Sequence, residues 1–241
     1  MDDNFFIVGT SLVNFCEQDF YYNFIGEPIN VISSLAISFF GFYGLYKLSL
    51  IQNIDIDISI TTYKYYSKIL YLILILIGFG SVYFHWELSH FAHWIDIILI
   101  SIILIFSNYC LELKYNCLTT KIKYLLIFIV HLISSLKIPS IHIFFQFITG
   151  FYIQKQIENK LILIKNNILN ENYLNILNKY KKIKMYFILS LFLWILDYFF
   201  CEKIKLYHTH WIFHILIGYI SYKIIDLIKF IYYSESSLKI C

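Results

Sequence analysis

An all-α membrane bundle of seven transmembrane helices is the fold this sequence predicts, and three observations predict it. Composition is the first: 59% hydrophobic residues, 15% charged residues and a mean hydropathy of +0.67 exclude an ordinary soluble domain. The second is seven apolar runs, some short, scaled to cross about 30 Å of hydrocarbon at about 1.5 Å per residue. Lysine placement is the third, because short cytoplasmic loops carry the excess of positive charge. The net charge of +3 is small and lies between apolar runs, so no nucleic-acid partner is expected.

In chain order, the acidic start MDDNFF lacks the basic region of a cleavable signal peptide, so segment 1–28 reads as a mature, non-cytosolic N-terminus. Spans are expected at 29–46, 67–86, 93–113, 122–136, 140–153, 185–201 and 211–231. The fourth and fifth are separated only by Lys137 and Pro139, which break what is otherwise one long run. Counting them as two puts Lys47, Lys64, Lys68, Lys114, Lys121, Lys123 and the seven lysines between Lys155 and Lys184 on the cytosolic side. Only Lys137, Lys203 and Lys205 then face the other side, so the N-terminus is lumenal or extracellular and the C-terminus cytosolic. Segment 156–184, polar and Asn-rich, is expected as a cytosolic loop with at most one surface helix, and 232–241 as a cytosolic tail. The chain is one domain in a multi-pass protein, expected in an endoplasmic reticulum or Golgi membrane.

Polar groups at membrane depth cost a few kcal/mol each and by default mark functional sites. In GFGSVYFHWELSHFAHWID, Ser81 and His85 stand at i and i+4 on one helix face, and Asp96 lies just inside the next apolar run. HTHWIFH repeats the spacing with His210 and His214, so both imidazoles can bind one metal. His85, at the same depth on the second span, supplies a third ligand, and three protein ligands leave the fourth position open, as in a catalytic zinc site. His208, His90 and His93 are rival ligands, and interfacial histidines bonded to headgroups are the alternative. His131 and His142 are expected to be structural.

The N-terminal stretches NFCEQDF and IGEPINVISS place Asn14, Glu17, Asp19 and Glu27 outside the membrane. Hard oxygens of this kind suit calcium. The other reading is a solvated acidic segment in which Glu27 precedes the first helix and meets its dipole. Cys16 and Cys201 share the side where disulfides persist, whereas Cys110, Cys117 and Cys241 lie towards the cytosol. A Cys16–Cys201 bridge would pin the N-terminal segment to the sixth span; two free thiols are the alternative.

At these residues the chain resembles the alkaline ceramidases, within the heptahelical metal-dependent hydrolases that also include adiponectin receptors and GPI-remodelling hydrolases. GFGSVYFHWELS with Asp96 eleven residues past His85 is similar to that family's S-x-x-x-H and following D. HWIFHILIG resembles its H-x-x-x-H-x-L-x-G, NFCEQDF its D-W-C-E-x-N-Y, EPINVIS its E-x-x-N-x-x-S, and WILDYFFCE the segment closing the sixth span. The resemblance implies zinc on His85, His210 and His214 with Ser81 and Asp96 beside the bound water. It also implies calcium near Asn14, Phe15, Glu17, Asp19 and Glu27, and a disulfide between Cys16 and Cys201. Asn14, Phe15 and Asp19 stand where the family has Asp, Trp and Asn, and Ile97 stands where an acid commonly follows the aspartate.

The implied activity is zinc-dependent hydrolysis of the ceramide amide to a sphingoid base and a fatty acid. Asp96 is expected to carry the water proton and Ser81 to bond the developing oxyanion. Two rivals stand beside it: a GPI-lipid remodelling hydrolase with the same metal, and a seven-helix receptor or scaffold whose metal is structural.

Overall fold

The computed structural model describes residues 7–9, 11, 15–17, 24–50, 58–112, 118–137, 139–167, 171–201 and 209–237. Among them are seven helices and no strand: α1 Pro28–Leu50, α2 Ile58–Glu87, α3 His90–Glu112, α4 Leu118–Lys137, α5 Pro139–Asn167, α6 Glu171–Phe199 and α7 His210–Ser237. The fold is all-α, as the sequence predicts. By length and composition, five can cross a membrane: α1, residues 62–87 of α2, α3, residues 118–136 of α4, and residues 210–232 of α7. Helices α5 and α6 are each 29 residues long and join an apolar stretch to a lysine- and asparagine-rich one. That corrects the expected loop at 156–184, where α5 continues to Asn167 and α6 begins at Glu171. The leucines and isoleucines of that polar stretch recur at helical spacing and bury Ile157, Leu161, Ile164, Tyr173 and Tyr180 in the main core, which a loop would leave unpaired.

Local chemistry sets the helix ends that matter for the site. Pro28 opens α1 with its φ already helical and no N–H to satisfy, and Val31 N–H closes the first turn on Glu27 C=O at 2.9 Å. Two orphan amides of that turn, Ile29 and Asn30, are taken by the Glu17 carboxylate, with Asn30 N to Oε2 at 2.8 Å. At the far end of α2, Leu88 turns left-handed at φ 50° and returns its N–H to Phe84 C=O at 2.7 Å, ending the helix. Ser89 then caps α3, its Oγ accepting Ala92 N–H at 3.2 Å.

Burial follows the logic of a membrane bundle. Large apolar side chains such as Ile32, Phe39, Leu125, Ile133, Phe144 and Phe192 face outwards, while Ser34, Ser38, Ser81, Ser101 and six histidines are buried inside. Close backbone approach is what admits them. A Cβ at Gly78 would fall 2.2 Å from Ser38 Oγ, so α1 and α2 meet this closely only because that position has no side chain. Ser38 Oγ uses the proximity to donate to Ile75 C=O at 2.9 Å.

Candidate metal centre

His85 ends α2, and His210 and His214 open α7, one turn apart on one face. The structure brings all three together, each buried, with one ligand atom apiece lying within 4.8 Å of the others. Among the described residues this is the only group of three or more His, Cys, Asp or Glu placed to hold a metal. His90 and His93 do not join it. His93 instead lies with its ring 4.9 Å from Phe84, and His208 falls outside the described residues.

Each ring is held differently. His85 Nδ1 meets Glu27 Oε2 at 2.5 Å, with both side chains almost wholly buried. His214 Nδ1 lies 2.8 Å from Ser33 Oγ and 3.3 Å from Ser34 Oγ. These contacts occupy Nδ1 of both rings, so Nε2 is the nitrogen each has to offer a ligand. His210 Nδ1, by contrast, is buried with no hydrogen-bond partner. Its ring is covered by Phe15, stacked at a centroid distance of 3.6 Å, and Phe15 also tilts against His85 at 5.7 Å. Three buried imidazoles with two Nδ1 atoms anchored fit a metal of the zinc type, which takes neutral imidazole in a tetrahedral set.

The end of α2 is strapped by the N-terminal segment. Gly9, Ser11, Gly26 and Glu27 donate their N–H groups to the carbonyls of Glu87, Leu88, Trp86 and His85 at 2.8 to 3.0 Å. These are the carbonyls a helix C-terminus leaves unsatisfied. A Cβ at Gly26 would sit 2.7 Å from His85 C=O and 2.6 Å from Leu88 Cγ, so only glycine permits the strap to lie this close. Glu27 reaches His85 for that reason.

Ser81 is buried one turn before His85 and is 3.0 Å from Ser34 Oγ, which links it to the His214 side of the cluster. On α3, Asp96 packs its backbone against Gly80: a Cβ there would stand 3.8 Å from Asp96 Cα. Asp96 Oδ1 is buried without a partner.

One expectation is corrected. Cys16 and Cys201 are free thiols, and no disulfide joins them. The two are close enough to hydrogen bond, but the Cys16 thiol turns to Asp197 C=O at 3.2 Å, and burial, then the Cys201 contact, push its pKa up. Glu27, expected among calcium oxygens, has Oε2 on His85 and Asn30 Nδ2 and Oε1 on Phe15 N–H, while Glu17 caps α1. Asn14 and Asp19, expected beside them, lie outside the described residues.

Sequence reasoning missed Asn30, Ser33 and Ser34, although EPINVISS carries the signal: positions 27, 30, 33 and 34 line one face of α1. It gave no role to Asp197 or Thr209, whose partners are remote in sequence.

A family model described as Ceramidase matches residues 8–239, nearly the whole length and all three histidines. The chain belongs to the ceramidase family. No curated protein matches it. Membership of the ceramidase family, with helices apolar enough to cross a membrane, makes this a membrane-embedded hydrolase of ceramide in the general sense.

Proposed function

We propose that this ceramidase-family protein is a zinc-dependent alkaline ceramidase, with His85, His210 and His214 holding the metal and Ser81 and Asp96 acting on the amide. The observation that carries this reading is the triad itself, three buried imidazoles whose anchored rings leave Nε2 of His85 and His214 for a ligand. When bound, the zinc would supply Lewis acidity and make a water nucleophilic near neutral pH.

The chain's own residues divide the remaining work. Glu27 accepts the His85 Nδ1 proton and keeps that ring a strong donor through Nε2; Ser33 and Ser34 do the same for His214. Asp96, with a buried carboxylate oxygen lacking a partner, takes the proton of the attacking water and delivers it to the departing amine. Ser34 steadies Ser81, whose hydroxyl donates to the oxyanion as the carbonyl becomes tetrahedral. Phe15, Phe84 and Leu88 form an apolar wall with Trp194 and Tyr198 that keeps bulk water from the amide. The products are a sphingoid base and a fatty acid.

Among the described residues the group holds three ligands and no fourth His, Cys, Asp or Glu, which favours an enzyme over a receptor or scaffold with a closed structural metal. The GPI-remodelling alternative shares the metal and differs in substrate. Lysine asymmetry supports a lumenal or extracellular N-terminus and a cytosolic C-terminus, in the endoplasmic reticulum or Golgi. Calcium is proposed separately for Asn14, Phe15, Glu17, Asp19 and Glu27, on the hard oxygens of that segment, and calorimetric titration of the purified protein with calcium checks it.

The deciding experiment offers purified protein a panel of ceramides and GPI lipids, before and after chelation and with zinc restored. Ceramide turnover that chelation abolishes and zinc restores is expected. Asp96→Asn should keep its zinc and lose about 100- to 10,000-fold in kcat. GPI-lipid turnover alone, or full activity after chelation, overturns the reading.

A further inference from the structure

His210 is the one member of the triad with no side-chain hydrogen bond to aim it: Nδ1 of His85 has Glu27 and Nδ1 of His214 has Ser33, but Nδ1 of His210 has nothing. Its ring is placed by two other things. One is its backbone position as the first residue of α7, and the other is the Phe15 ring stacked on it at 3.6 Å.

Both lead to a single carboxylate. Asp197, near the end of α6, is fully buried, and no cation pairs with it among the described residues. Its Oδ1 accepts the Thr209 N–H at 2.8 Å and lies 3.2 Å from Thr209 Oγ1; its Oδ2 accepts the Cys16 N–H at 3.0 Å. Thr209 is the residue before His210, and its C=O closes the first turn of α7 with Ile212 and Phe213 N–H. Cys16 follows Phe15, and its thiol also returns to Asp197 C=O. One oxygen of the carboxylate thus holds the chain that carries His210, while the other holds the chain that covers it. A buried carboxylate is costly, and among the described residues three N–H or O–H contacts at a helix N-terminus stabilise it. Neither the reaction nor the metal uses it.

We infer that Asp197 is the positioning residue of the metal centre, setting His210 through the backbone where Glu27 and Ser33 set the other two histidines through their rings. The inference rests on the triad being a metal centre, as proposed above.

The test uses the full-length protein in detergent with Zn2+ or Co2+ alone as probe. Zn2+ affinity is read by competition with a chromogenic chelator, and Co2+ geometry by its visible absorption. Asp197→Asn, close to isosteric, must point an NH2 at either Thr209 N–H or Cys16 N–H. It should weaken Zn2+ about 10- to 100-fold, as loss of an outer-shell partner does, and shift the Co2+ bands. Phe15→Leu removes the ring stacked on His210 and Thr209→Val the Oγ1 contact to Oδ1, so each weakens one arm while its backbone N–H bond stays, and each should move the same readouts less. They decide the matter if Asp197→Asn does not fold. A role confined to stability would lower the melting temperature yet leave the folded fraction with wild-type Zn2+ affinity and an unchanged Co2+ spectrum. That result in Asp197→Asn, or in both single-arm variants if it does not fold, overturns the inference. Wild-type protein that binds neither ion overturns the metal reading itself, and this inference with it.

Discussion

Two clusters of close histidines occupy this bundle, and a pair from each has its rings about equally near. His210 and His214 have centroids 4.5 Å apart, His131 and His142 5.3 Å. The second pair is saturated. His131 Nδ1 meets Ser101 Oγ at 3.2 Å and Nε2 meets Thr149 Oγ1 at 3.1 Å; His142 Nε2 meets Ser101 Oγ at 3.0 Å and Nδ1 meets Ser134 Oγ at 3.1 Å. Gln146 bonds into the same group and ties α5 to Ile97 C=O on α3. All four ring nitrogens are satisfied by protein, so this network fastens α3, α4 and α5 and has none to offer an ion. In the triad only the outer nitrogens of two rings are anchored. Proximity of imidazoles therefore does not make a metal site here; unspent nitrogens do.

The sharpest break of that contrast is removal of a ligand. His85→Ala, His210→Ala and His214→Ala should each abolish zinc binding and ceramide turnover, measured by metal analysis beside product formation, since two imidazoles do not hold zinc against water. Full zinc occupancy in the His210→Ala, His214→Ala double variant would sink the assignment. Smaller is the effect of loosening an anchor. Glu27→Gln keeps an acceptor for His85 Nδ1 but loses its charge, and should weaken zinc about 10-fold or more in chelator competition. Gly26→Ala should act in the same direction, because its new methyl would press on His85 C=O and draw Glu27 away. The least effect on metal is expected from His131→Ala. It takes one hydrogen-bond partner each from Ser101 and Thr149, which keep Ile97 C=O and Phe145 C=O, and should cost about 1–3 kcal/mol of stability, seen as a lower melting temperature, with zinc content unchanged. Loss of zinc from His131→Ala would erase the distinction between the two clusters.

Much of this was legible in the sequence, for identifiable reasons. The i, i+4 spacings of Ser81 with His85 and of His210 with His214 are properties of one helix, so a helical reading places them at once. Hydropathy found the seven helices, and the expected structural role of His131 and His142 is the one their partners show. What failed depended on competition for a side chain. Glu27 could serve calcium, a helix dipole or a histidine, and only the strap through Gly26 brings it to His85. Cys16 and Cys201 do become neighbours, but whether neighbouring thiols bond turns on where each sulfur points, and Cys16 points to Asp197. The polar run at 156–184 misled because asparagine and lysine dominated its composition while isoleucine and tyrosine at helical spacing decided its packing.

The strap also sets an order of events in the making of the protein. Residues 9 to 27 leave the ribosome first and find the end of α2 soon after it, but the contacts Cys16–Asp197 and Ser33–His214 each wait for a residue 181 positions later. Until α7 is made, Ser33 and Ser34 lack His214, and Asp197 lacks Thr209. Polar groups kept waiting in a bilayer are unfavourable by a few kcal/mol each for the ionisable ones. A chain stopped short of α7 therefore leaves α1 unsettled, and α7 is the helix that allows α1, made long before it, to take its final place.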